Sequence, residues 1–94
     1  MDKSINILLI EDDPDYTLLM NLYVNEACGQ AMRHEIESAV SLAQGLDLLA
    51  RKEFDIVLLD LMLPDSQGLD TLAELRRRAP GVPVVVLKIG RAHV

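Results

Sequence analysis

Two short apolar runs set the strongest limit on what this chain can fold into. They are INILLI (Ile5–Ile10) and the centre of FDIVLLD (Phe54–Asp60). A strand that faces water on one side alternates apolar with polar residues. A run that is apolar at successive positions has to be covered on both faces, and helices laid on a parallel sheet provide that cover. The segments that follow switch to helical period. Leu18, Leu19, Leu22 and Tyr23 recur after Asp13-Pro14, a capping acid followed by a first-turn proline, and Cys28-Gly29 marks a stop.

The same alternation continues. HEIESA (His34–Ala39) has the single large apolar residue Ile36 between two glutamates, which predicts an edge strand. Ser41 is placed to cap a helix with Leu42, Leu46 and Leu49 on one face, which Gly45 should weaken. LPDSQG reads as a loop after the third strand. Leu69, Leu72 and Leu75 then mark a third helix, with Arg76, Arg77 and Arg78 near its C-terminal end, where the dipole favours cations. APG ends it, and Val82–Leu87 predicts a fourth strand. The order β-α-β-α-β-α-β implies a doubly wound α/β fold with right-handed crossovers.

In parallel sheets of this kind functional groups gather at the carboxyl ends of the strands. Glu11 and Asp12 follow the first strand and Asp60 ends the third. If those strands are neighbours, three carboxylates converge. Alone they repel and raise one another's pKa; a divalent cation removes the conflict. An all-oxygen donor set suits Mg2+, which keeps several waters and takes one or two carboxylates. Asp13 is read as the helix cap and Asp15 as a solvated first-turn acid. Composition and spacing lead to a metal site and stop there.

The ordered set ILLIEDDP followed by FDIVLLDLMLPDSQGLDTLAELRRRAPGVPVVVL resembles the receiver domain of two-component response regulators. The resemblance runs from about residue 5 to residue 87. It implies a flavodoxin-like doubly wound parallel sheet of order 2-1-3-4, lacking the last helix-strand-helix. By position, Asp60 corresponds to the phosphoacceptor that takes a phosphoryl group from a histidine kinase or phosphotransfer protein. Asp12 corresponds to the direct Mg2+ ligand and Glu11 to a partner acid acting through metal-bound water. Met62 would offer its backbone carbonyl, and Pro64 and Gly68 shape the loop. The domain would then be a phosphoacceptor acting on itself rather than an enzyme acting on others. The family's switch Thr or Ser, expected after Leu87, is replaced here by Lys88.

The last seven residues, KIGRAHV, carry no pattern, and their codons can be written so that, apart from the first base, they are the start of a common sequencing adapter. Residues 1–87 are therefore expected to be a partial receiver domain and Lys88–Val94 a non-native read-through tail. On that expectation the output surface is missing, the fourth strand is an open edge and the first helix is only partly covered. Two other functions compete: a pseudo-receiver that binds partners without being phosphorylated, and a phosphohydrolase of the haloacid-dehalogenase type. The first lacks a reason to keep Glu11, Asp12 and Asp60; the second needs D-x-D after the first strand, where this chain has E-D-D-P.

Charge and composition limit partners further. The net charge of −6 argues against direct nucleic-acid or anionic-membrane binding by this domain. Cys28 is the only cysteine, so no internal disulfide forms, which fits a cytoplasmic protein. The first apolar stretch is too short to span a bilayer and lacks a signal-cleavage pattern. No P-loop motif is present.

Overall fold

A computed structural model of the chain describes residues 4–30 and 32–87. The expectations for Lys88 and for Lys88–Val94 lie outside the described residues. Four strands form one parallel sheet. They are β1 (Ser4–Ile10), β2 (Arg33–Ala39), β3 (Ile56–Asp60) and β6 (Val84–Leu87). A two-stranded antiparallel hairpin, β4 (Met62–Leu63) and β5 (Ser66–Gln67), follows β3. The helices are α1 (Pro14–Cys28), α2 (Leu42–Arg51) and α3 (Leu69–Arg78). The sheet order β2-β1-β3-β6 is the flavodoxin-like order expected, with the small hairpin counted in between. Among the described residues no helix is long and apolar enough to cross a membrane.

Local chemistry sets the boundaries. Asp13 Oδ1 accepts from the Asp15 amide at 2.9 Å and Pro14 opens α1; the Gly29 amide closes it onto Asn25. Ser41 Oγ caps α2 through the Gln44 amide. The third strand starts at Ile56 rather than Phe54. Asp55 accounts for this: its side chain takes the Asn6 amide at 2.8 Å while its own amide donates to the Asn6 carbonyl. The last strand starts at Val84 rather than Val82, because Pro83 has no N–H to give the ladder. LPDSQG, expected as a loop, contains the β4–β5 turn.

Strand parity separates the two faces of the sheet. Leu8, Ile10, Ala39, Val57 and Leu59 point to the side of α2 and α3, and build the main core with Leu42, Leu63, Leu75 and Val82. Leu46, Leu49 and Leu72 pack against it, so the faces predicted for α2 and α3 hold there. The exception is Leu69, 73% exposed at the first position of α3. His34 on β2 meets Asn25 of α1 at 2.6 Å, whereas Glu37 pairs with Lys52 just beyond α2 at 2.9 Å. Residues 34 and 37 have opposite parity, which puts α1 and α2 on opposite faces.

The α1 face differs from its opposite. No residue of α1 is buried, and Leu18, Leu19, Leu22 and Tyr23 stand in solvent, Leu18 at 61% and Tyr23 at 60%. The helical spacing was legible, but these residues do not enter the core. They form the exposed apolar patch expected of a partly covered first helix. Among the described residues β6 has β3 as its one neighbour in the sheet, and Val85 on it is exposed.

Gly45 lies hard against the core. A Cβ built there would lie 2.5 Å from Ile10 Cδ1 and 2.9 Å from Cγ1. The glycine that weakens α2 by propensity is thus what lets the helix reach the sheet. Ala at this position gains about 1 kcal/mol of helix propensity. Overpacking of a closed core costs about 1–3 kcal/mol. Gly45→Ala is expected to lower stability in urea denaturation despite the propensity gain, and Ile10→Val in the same chain to recover part of the loss.

Candidate metal and phosphoacceptor site

Pairing sets Ile10 beside Leu59 in adjacent parallel strands. The next residue on each, Glu11 and Asp60, therefore emerges at the same sheet edge. Asp12 follows Glu11. The three residues each offer a carboxylate oxygen, and these oxygens lie within 4.8 Å of one another. Glu11 and Asp60 are each 1% exposed, and Asp12 is open to solvent. The pocket thus has a covered floor of two acids and a rim of one.

Hydrogen bonds orient the floor. The Glu11 amide donates to the Ala39 carbonyl at 2.9 Å, extending the β1–β2 ladder by one residue. Glu11 Oε2 accepts from the Asp13 amide at 3.0 Å, so the acid also braces the turn into α1. Asp60 Oδ1 accepts from the Met62 amide at 3.0 Å. The sequence reading of Asp13 as a cap holds, and its side chain is spent on α1.

The segment after Asp60 is closely braced. The Gly68 amide donates to the Leu61 carbonyl at 2.7 Å, closing the β4–β5 hairpin. Pro64 and Asp65 form its two-residue turn, where the fixed φ of proline suits the first position. Gly68 caps α3 at φ 69°, ψ −153°, a region nearly restricted to glycine. Pro64 thus lies in the hairpin turn and Gly68 at the start of α3. Met62 sits on β4 with its side chain exposed, two residues beyond Asp60.

Three polar residues here escaped the sequence reading. Asp65 Oδ1 and Oδ2 accept from the amides of Leu42 and Ala43, each at 2.9 Å. Ser66 Oγ and Thr71 Oγ1 lie 2.7 Å apart, and Thr71 is fully buried. Pro-Asp signals a turn locally. Nothing local signals a bond to a helix more than twenty residues upstream.

The donor set fits a hard cation. Three carboxylates converge at one edge, two of them covered, without a histidine or thiol among them. Such a set suits Mg2+ in preference to softer metals.

Two outcomes are expected. Gly68→Ala meets nothing within 4 Å, so its cost is backbone strain alone, about 1–3 kcal/mol by chemical denaturation. Partial loss of hydration would raise the Asp65 pKa; the amides of Leu42, Ala43 and Asp65 itself outweigh this and hold it below its ordinary 3.8. Its contribution to stability is therefore complete above that value and is lost as pH falls through the lower folded one. The stability advantage of the native chain over Asp65→Asn, followed by thermal melts against pH, is expected to shrink on that acid side only.

Comparison with known proteins agrees with this geometry. Residues 7–92 match the response regulator receiver domain family. The transcriptional regulatory protein GlrR of Escherichia coli K12 is 32% identical over 85 residues, covering 90% of this chain and 18% of the relative. The probable transcriptional regulatory protein TcrX of Mycobacterium tuberculosis is 34% identical, covering 90% and 34%. The chain thus spans about a third or less of these relatives. Among solved structures, the MaeR response regulator bound to beryllium trifluoride superposes with a TM-score of 0.75 at 36% identity, covering 88% of this chain and 66% of that one. A MaeR mutant bound to sulfate gives 0.78 at 31%, covering 90% and 67%. The alternating fold, the sheet order and the acids at the ends of β1 and β3 thus converge with sequence similarity, and the chain belongs to the response regulator receiver domain family.

Proposed function

We propose that this domain accepts a phosphoryl group on Asp60 from a phosphohistidine of a histidine kinase or phosphotransfer protein, in the cytoplasm and with Mg2+ held by Asp12, Asp60, the Met62 carbonyl and, through water, Glu11. The observation that carries the reading is the meeting of three carboxylates at the ends of β1 and β3. A nucleophilic carboxylate with two acids beside it can act on a phosphoryl group only if negative charge is offset. Bound Mg2+ would supply that offset and hold the transferring oxygens in line.

The chain's own residues do the rest. The Met62 amide holds Asp60 Oδ1 and fixes the plane of the carboxylate. A carboxylate oxygen of Asp60 attacks phosphorus; the P–N bond to the donor imidazole breaks, and its electron pair stays on that nitrogen. The product is an acyl phosphate on Asp60. Burial of Glu11 and Asp60 strengthens every electrostatic interaction in the pocket relative to water. The added charge then biases the domain between two surface states, and a useful switch needs a few kcal/mol of difference between them.

The test is labelling by a small radiolabelled acyl phosphate. Label is expected on the native chain with Mg2+, and none after chelation. Asp60→Asn should carry none, whereas Asp15→Asn, altering an exposed acid outside the pocket, should be labelled normally. Label persisting on Asp60→Asn would overturn the assignment.

A further inference from the structure

The hairpin that follows Asp60 is gripped from two sides. Toward α3 the grip is the Ser66–Thr71 hydroxyl pair. Toward α2 it is Asp65, whose two carboxylate oxygens take the first two amides of that helix. Helix starts leave four amides without intrahelical partners. In α2 the Gly45 amide makes the first intrahelical bond, to the Ser41 carbonyl, and the Gln44 amide goes to Ser41 Oγ. The first two helical amides, Leu42 and Ala43, are bound by a residue from another loop. The cap of α2 is thus divided between a local serine and a distant acid.

This division closes a circuit around the pocket. Upstream of Leu42, the Ala39 carbonyl holds the Glu11 amide. Three residues before Asp65, the Met62 amide is held by Asp60. Glu11 and Met62 therefore belong to segments joined across the α2 start by one side chain. We propose that Asp65 is a positioning residue for the metal pocket, fixing the β4–β5 hairpin, and with it the Met62 backbone, relative to the end of β1. This rests on the Mg2+ site described under Proposed function. A carboxylate suits the task because two amides need two acceptors. Asparagine offers one oxygen and turns an NH2 group toward the second amide, and alanine offers none. The negative charge is further favoured at the positive end of α2.

A purely structural cap would behave differently, and Ser41→Ala supplies the contrast. It removes a cap bond from the same helix without touching the hairpin. The experiment is calorimetric titration of the full chain with Mg2+ alone, beside thermal melts, for the native protein, Asp65→Ala, Asp65→Asn, Ser41→Ala and Asp60→Asn. Asp65→Ala is expected to weaken Mg2+ binding by about 10-fold, as losses in the outer shell of metal sites do. Asp65→Asn should show a smaller loss, and Ser41→Ala a lower Tm with native affinity. If Asp65→Ala does not fold, Asp65→Asn carries the test. Native affinity in the Asp65 variants, or an equal loss in Ser41→Ala, overturns the positioning role. A native chain whose Mg2+ binding is absent, or unchanged in Asp60→Asn, overturns the metal site itself, which separates the two failures.

Discussion

Parallel pairing of β1 with β3, in the register that sets Ile10 beside Leu59, is the constraint from which the site follows. Side chains along a strand alternate between faces, so a slip of one residue would turn Leu8 and Ile10 out of the main core. The register is therefore enforced by burial. Leu8, Ile10, Val57 and Leu59 are fully buried, and each such side chain contributes about 1.5–3 kcal/mol over leaving it exposed. That apolar energy also meets the cost of bringing Glu11 and Asp60 together at the sheet's edge. The exposed ion pairs, such as Arg51–Asp47 and Arg77–Glu74, are of a kind worth about 0–1 kcal/mol, too little to set the register.

Much of this was legible in the residues because the signals are local. Asp13-Pro14, Ser41 and the two-sided apolar runs each act within a few positions, and the elements they predict are present with ends shifted by one or two residues. The acids at 11, 12 and 60 were readable through the rule that parallel sheets work at their carboxyl ends. Burial was less readable. The stripe at Leu18, Leu19, Leu22 and Tyr23 has correct helical spacing, yet periodicity states which residues share a face and not whether anything covers it.

The least legible features join segments far apart in sequence. Asp65 has turn chemistry in its neighbourhood, and its bonds to Leu42 and Ala43 depend on the sheet having formed. Gly45 reads as a flaw in a helix until Ile10 is seen beneath it. In both cases a local rule is spent on a tertiary requirement: the hairpin is anchored by an acid that looks solvated, and the helix is admitted to the core by a residue that weakens it.

The uneven cover of the sheet has a consequence for how the pocket is held. The main core lies under α2 and α3, while α1 commits no buried residue to the fold. Such a helix opens at lower free energy than the sheet beneath it. Yet its first turn is joined to the pocket, since Glu11 takes the amide of Asp13, the residue that caps α1. Whatever gathers the acids into one geometry also steadies the entrance to α1. If the pocket holds an ion, its binding and the anchoring of the first turn of α1 would be linked equilibria, so that filling the site would slow the fraying of this helix at its start.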